Sequence, residues 1–123
     1  MQKSIRWEQL ATQEIQLVSS SLLLEVIIMR KSPVQVFEHV YQTIIDRKNN
    51  PKEGSYTNYL FEQGQDKILK KIGEEATGIV IASKNPNPEE LKTEMADFLY
   101  HAMVLMVEKG ITWEDVTNQL LQK

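Results

Sequence analysis

The chain predicts an all-α fold, a helical bundle completed by homodimerisation. Three observations carry this. From residue 32 onward apolar residues recur at intervals of three and four, the period of a helix with one covered face. Residue pairs that open helices, Ser32-Pro33 and Asn87-Pro88, precede two of these periodic runs, and Thr112 followed by acids precedes a third. With 123 residues, a helical chain is short enough that a second copy often finishes its core.

Composition narrows the function classes. The net charge is −3 and the pI about 5.4, with no dominant basic patch, which argues against nucleic acid and anionic membranes as partners. Cysteine is missing from the sequence, which excludes disulfides, thiolate metal sites and a cysteine nucleophile. The start, MQKSIRWEQLATQE, is too polar for a secretory signal, and apolar runs fall well short of the ~20 residues a membrane helix needs. A soluble, cytoplasmic protein is expected.

Two domains of unequal legibility follow. Residues 1–31 form an N-terminal extension of unclear role. Trp7, Leu10, Ala11 and Ile15 have helical spacing, and Leu17 to Met29 reads as a buried helix or a strand. The extension is either an accessory helix that packs on the domain or on a partner chain, or the remnant of an upstream sequence or an artefactual start. Residues 32–123 form the all-α domain. Ser32 suits the N-cap, Pro33 the first helical position, and Gln35 a capping box. Val36, Phe37, Val40, Tyr41 and Ile44 share one face, and Asn49-Asn50-Pro51 stops this helix near Arg47. Pro51 to Gly64 is a loop with a short helical turn, anchored by Tyr59, Leu60 and Phe61. Loops on a rigid scaffold often carry binding groups, and Ser55 and Thr57 offer hydroxyls.

The next two helices matter most. One runs from about Gln65 to Ser83. With Glu75 set at 0° on a helical wheel, Ile68, Leu69, Ile72, Ala76, Ile79 and Val80 fall between roughly 20° and 140°, with Glu75 on the edge of that arc. In the second, Asn87 is the N-cap, Pro88 the first residue and Glu90 the box partner. With Glu94 at 0°, Leu91, Met95, Phe98, Leu99, Ala102, Leu105 and Met106 occupy the same arc, with Asp97 near 300° and His101 near 340° (about 100° per residue). Antiparallel packing through these arcs would bring the two acidic edges together. Gly110 suits the end of the second helix. Thr112 caps a last helix from Trp113, whose Val116, Leu120 and Leu121 would face the core.

Carboxylates three apart on facing helices can hold a divalent cation. Mg2+ prefers oxygen ligands and commonly takes a few carboxylates together with substrate phosphates. Glu75, Glu94 and Asp97, with Glu74 nearby, supply the protein part, and a metal there would polarise a polyphosphate for attack by water. Lys67 and Lys71 fall on the carboxylate side of their helix and could contact phosphates; Lys70 points elsewhere. His101 reads as a ligand, a partner of a ligand, or a structural hydrogen-bonding group. Helices rich in Glu and Lys also commonly present nothing more than a solvated face.

The stretches VYQTIIDRK, EGSYTNYLFEQGQDKILKKIGEEAT and ELKTEMADFLYHAMVLMVEKGITWEDV resemble the phosphoribosyl-ATP pyrophosphohydrolase family, over Val40 to Leu120. That family belongs to the all-α nucleoside triphosphate pyrophosphohydrolases, marked by Glu-x-x-Glu on one helix and Glu-x-x-Asp on the next. The resemblance implies a helical homodimer, Mg2+, and hydrolysis of phosphoribosyl-ATP to phosphoribosyl-AMP and pyrophosphate in histidine biosynthesis. It implies metal binding by Glu75, Glu94 and Asp97, and catalytic roles for Glu74 and Glu75. Ser55, Tyr56, Thr57, Lys67, Lys70 and Lys71 match stretches that handle substrate. One departure stands out: Gly78 occupies the fourth acidic position. Glycine costs a helix about 1 kcal/mol relative to alanine, and the missing carboxylate removes a ligand, so weaker metal binding is expected. An inactive homologue that binds nucleotide or a partner protein, or an enzyme acting on another nucleoside triphosphate, are the alternatives.

Overall fold

Helix ends are set by local chemistry. A computed structural model describes residues 32–123; the expectations for Trp7, Leu10, Ala11, Ile15 and Leu17 to Met29 lie outside them. Helix α1 spans Pro33–Asn49, and the Gln35 amide donates to Ser32 Oγ at 3.4 Å. It runs past the expected stop at Arg47: the Asn50 amide still reaches the Asp46 carbonyl at 2.7 Å, and only Pro51, with no N–H to donate, ends it. A boundary between His39 and Val40 separates its first turns from the compact unit Val40–Lys123, which contains everything that follows.

Helix α2 covers Tyr56–Gln63 and is longer than the single turn expected. Ser55 is its N-cap and accepts from the Asn58 amide at 3.2 Å. Gly64 ends α2 and starts α3 with φ 93° and ψ −178°, a conformation that is essentially glycine's alone. Helix α3 covers Gln65–Ala82 and α4 covers Glu89–Lys109.

The expected Asn87–Glu90 box does not form. Asn85 Oδ1 accepts from the Asn87 amide at 3.0 Å and Asn87 Oδ1 from the Glu89 amide at 3.1 Å, so both asparagines close local turns and Pro88 takes the cap position. Gly110, at φ 71°, ends α4 in a Schellman motif, with the Ile111 amide on the Met106 carbonyl at 2.8 Å. Helix α5, Trp113–Leu121, has a complete Thr112–Asp115 capping box.

The described residues form five helices and no strand. Helices α3 and α4 pack on each other most extensively, and α2 packs on α3. The α3–α4 pair is antiparallel: Glu75 meets His101 and Gly78 meets Glu94, so positions rising along one helix fall along the other. Tyr41, Ile44, Leu60, Ile68, Ala82, Met103, Val104 and Met106 make the core. Covering a side chain such as Leu60, Ile68 or Val104 contributes about 1.5–3 kcal/mol. The Tyr41 hydroxyl donates to the Ile111 carbonyl at 2.7 Å, and Lys48 reaches Glu108 at 3.3 Å.

The predicted arc on α3 is rotated, while that on α4 is covered throughout except at Met95. On α3, Ile68 is buried and Ile72 and Ile79 are half-buried, but Leu69, Ala76 and Val80 are exposed. The covered strip instead runs through Ile68, Lys71, Glu75, Gly78 and Ala82, so Glu75 lies inside the face turned to α4 and not at its edge. On α4 the deepest residues are His101, Met103, Val104 and Met106, while Met95 is exposed. The physical reason is cover: α2 reaches the other side of α4 through Tyr56 and Thr57, and within one chain neither the far part of the α3 arc nor Met95 has a helix over it. Leu120 and Leu121 are likewise exposed, contrary to expectation, because α5 packs too lightly to cover its last turn.

Candidate active site

The α3–α4 seam sets Glu75 against His101 and Glu94 against Gly78. His101 is 5% exposed. Its Nδ1 lies 2.9 Å from the Asp97 carbonyl, which can only accept, so Nδ1 carries the proton. Nε2 shares a hydrogen bond with the Tyr56 hydroxyl at 2.8 Å. The Tyr56 and Tyr100 rings both meet the imidazole edge-on, at 5.7 and 5.5 Å. This doubly bonded imidazole has its orientation fixed by α2 and by its own helix.

Glu75 Oε1 lies 2.7 Å from His101 Nδ1, yet that N–H is directed at the Asp97 carbonyl. Glu75 Oε1 is consequently a buried carboxylate oxygen with no aligned hydrogen-bond donor. Burial pushes its pKa up from the ordinary glutamate value, His101 pulls it back, and the nearby Asp97 charge adds to the rise. Burial also raises the Tyr56 pKa, helped by Glu75 and Asp97, which keeps Tyr56 protonated as a donor.

Glu94 is held differently. Its carboxylate lies against the bare α-carbon of Gly78: a methyl group built there would sit 2.6 Å from Oε1 and 2.7 Å from Cδ. Among the described residues no three His, Asp or Glu side chains converge into a ready metal-holding group. The donor chemistry nevertheless suits a hard cation. Glu75, Glu94 and Asp97 offer oxygen only, Glu75 Oε1 is a buried acceptor without a donor, and Mg2+ habitually completes its shell with waters and phosphate oxygens.

The other expected residues divide into two groups. Glu74 is exposed and 3.9 Å from Lys71, a contact worth little at a surface. Lys67 sits over the Tyr59 ring at 5.8 Å, and Lys70 is exposed. Ser55 caps α2. Thr57 is buried and hydrogen-bonded to the Tyr100 hydroxyl, so it supports the loop from within, whereas Tyr56 reaches the site.

Comparison with known proteins bears on the same segment. The phosphoribosyl-ATP pyrophosphohydrolase family model matches residues 37–123. The chain belongs to that family. It is 55% identical over 87 residues to a phosphoribosyl-ATP pyrophosphatase of Clostridium novyi, covering 71% of this chain and 79% of that one. It is 59% identical over 81 residues to the Streptococcus thermophilus protein of the same name, covering 66% and 78%. A histidine biosynthesis bifunctional protein HisIE of Thermoanaerobacter pseudethanolicus is 43% identical over 113 residues, 92% of this chain and 52% of that one. That last likeness reaches into the segment before Ser32.

Within this pyrophosphohydrolase chain, a pocket of about 500 Å³ adjoins the seam. Ser55, Tyr56, Asn58 and Tyr59 line it, together with Lys52, Glu53, Gly54 and Glu62. The Tyr56 and Tyr59 rings stack at 6.0 Å. Sequence reasoning missed Asn58. Its Nδ2 donates to the Arg47 carbonyl at 2.6 Å and its Oδ1 accepts from the Lys52 amide at 2.9 Å, so one buried amide joins the end of α1 to the pocket wall. The only signal was an asparagine within an otherwise aromatic stretch, and its partners are backbone groups that no motif displays.

Proposed function

We propose that this chain is a Mg2+-dependent enzyme that hydrolyses phosphoribosyl-ATP to phosphoribosyl-AMP and pyrophosphate, the step of histidine biosynthesis its family resemblance implies. Residues 32–123 are the catalytic domain and 1–31 an extension of it. The observation that carries the reading is Glu75: a buried carboxylate oxygen without a donor, on the seam that also holds Asp97 and Glu94.

Glu75, Glu94 and Asp97 would hold the metal. Bound there, Mg2+ would supply neutralisation of the polyphosphate and a polarised water. The chain's own residues do the rest. His101, 2.7 Å away, favours the charged form of Glu75, with Tyr56 and the Asp97 carbonyl fixing the imidazole. Glu74, one residue from Glu75, orients the attacking water. Lys71 and Lys67 contact the phosphates, with Lys70 further out, and Ser55, Tyr56 and Thr57 shape the substrate loop. Water adds its oxygen to phosphorus, the bridging phosphorus–oxygen bond between the first and second phosphates breaks, and pyrophosphate departs.

A cytoplasmic homodimer completes the proposal. Val80 is 63% exposed and Met95 48%, and a second copy would cover these apolar arcs. Val80→Glu is expected to shift the protein from dimer to monomer in sedimentation velocity; a wild-type chain that sediments as a monomer overturns this part.

The test of function is pyrophosphate release from phosphoribosyl-ATP with Mg2+, run beside other nucleoside triphosphates. Preferential turnover of phosphoribosyl-ATP is expected. A well-folded chain that binds nucleotide without turnover would support a second reading, an impaired homologue, which Gly78 favours; turnover confined to Gly78→Glu would establish it.

A further inference from the structure

We propose that the pocket beside Tyr56 binds the adenine of the substrate as a cation, and that Tyr56, Tyr59, Glu53 and Glu62 set a preference for phosphoribosyl-ATP over ATP. This deepens the proposed function and rests on it for the identity of the substrate. Tyr56 and Tyr59 lie three apart on α2, so both rings emerge on one side of the helix. They stack at 6.0 Å with their planes 27° apart. Both stay open to solvent, 44% and 41% exposed, and both line the cavity of about 500 Å³. That volume lies within the range of small-molecule sites, about 300–1,000 Å³.

The charge of the wall selects the ligand. Lys52 brings one ammonium to it, whereas Glu53 and Glu62 bring two carboxylates. Among the described residues neither carboxylate enters an ion pair, so both are open to a ligand. This balance opposes a triphosphate and favours a positive group. The tyrosines favour the same sign, because the face of an aromatic ring is its negative part. Lys67 Nζ already stands 5.8 Å from the Tyr59 centroid. A flat ring that carries positive charge satisfies the carboxylates and the tyrosines together.

Phosphoribosyl-ATP has such a ring. Its added ribose is bonded to N1 of the adenine, and an adenine alkylated at N1 holds an extra proton at neutral pH. The charge spreads over the ring and its exocyclic nitrogen, whose N–H groups can donate to Glu53 or Glu62. The adenine of ATP is neutral at the same pH. The place of the pocket also suits the reaction. Tyr56 lines it and meets His101 Nε2 at 2.8 Å, and His101 Nδ1 stands 2.7 Å from Glu75 Oε1. One imidazole therefore separates the pocket wall from a carboxylate proposed to hold the metal. A base resting on Tyr56 leaves its ribose to carry the triphosphate toward the seam and away from Glu53 and Glu62.

The experiment is NMR titration of the full chain, in Mg2+, with 1-methyl-AMP and with AMP. Neither can release pyrophosphate, and they differ in the methyl group that fixes the charge of the base. Wild type is expected to bind 1-methyl-AMP about tenfold more tightly than AMP, the size of one or two partly desolvated cation–π contacts. A Glu53→Gln, Glu62→Gln double variant, and separately Tyr59→Leu, should each bring the two affinities within about threefold of one another. All three positions are exposed, so the fold tolerates the changes, and thermal unfolding checks this. Equal affinities in wild type overturn the inference, as does a tenfold preference that survives either change. Pyrophosphate release from phosphoribosyl-ATP separates this from the activity itself. Turnover by a wild type without the preference leaves the activity standing and the pocket reading overturned. A preference that follows the variants in a chain without turnover keeps the pocket as a cation-selective nucleotide site, and the hydrolytic reading falls.

Discussion

Two neighbouring turns of the α3–α4 seam each hold a glutamate, and they hold it in opposite ways. Glu75 is crowded: an imidazole stands 2.7 Å from Oε1, that imidazole is fixed by two further bonds, and burial works against the charge. Glu94 is accommodated by a lack of matter, lying over a glycine that has no side chain to oppose it. The first arrangement fixes a carboxylate at a cost in stability. The second leaves one cheap to move. The proposed site would then have a rigid half and an adjustable half, the adjustable one where the family pattern is broken.

The largest expected effect tests the rigid half. Glu75→Gln should lower pyrophosphate release by about 100-fold or more, given that even supporting residues of metal sites cost 10–100-fold, without lowering metal-free stability. The sign follows from the pKa. Glu75 titrates above its ordinary 4.5 in the folded chain, so folded protein holds the proton more tightly than unfolded protein. Its carboxylate subtracts from stability once the pH exceeds the folded value, and subtracts nothing well below 4.5. Urea unfolding in EDTA should show the glutamine variant at least as stable as wild type near neutrality, with any gain fading in acid. A variant markedly less stable at neutral pH would mean that His101 holds Glu75 by a stronger attraction than burial opposes.

Next in size is His101→Ala, which converts the crowded turn into an unheld one. Loss of a buried ring with two hydrogen bonds should cost about 2–4 kcal/mol, read from the denaturation midpoint. Unchanged stability would show that the imidazole is not part of the core. The smallest effect belongs to Tyr56→Phe, which removes one part-exposed hydrogen bond worth about 1 kcal/mol or less. Because the Tyr56 pKa is raised above 10.0, the folded chain keeps this proton longer than the unfolded chain, and Tyr56 subtracts from stability as the pH rises through 10.0. The phenylalanine variant should have the flatter alkaline limb; identical limbs would detach Tyr56 from the charges of Glu75 and Asp97.

How much of this was legible depends on the range of the interaction. The Thr112–Asp115 box, the Gly110 terminus and the Ser55 cap depend on residues at most a few positions apart, and the sequence displays them directly. The existence of α3 and α4 was equally plain from their period. The rotation of α3 was not, because a wheel shows which side chains are apolar and not which apolar side the same chain covers; Leu69, Val80 and, on α4, Met95 were assigned to a core that one chain does not close. At the site, Glu75 and His101 were readable as edge residues of facing helices, but not as partners. That Gly78 lacks an acid was readable from the family resemblance, but that Glu94 lies in the gap depends on side-chain placement across two helices. Asn58 was out of reach for the same reason, since both of its partners are main-chain groups brought to it only by the folded chain.

That asparagine also sets a clock on the loop. Lys52 is solvent-exposed, and an exposed loop amide ordinarily trades its hydrogen with water almost at once. Here the amide is tied to a buried carbonyl oxygen whose own amide group is anchored at the end of α1. In deuterium exchange Lys52 should therefore lag behind the neighbouring loop positions, and its hydrogen should leave only when the asparagine lets go. One slow proton on the surface would then time the opening of the pocket wall beside Tyr56.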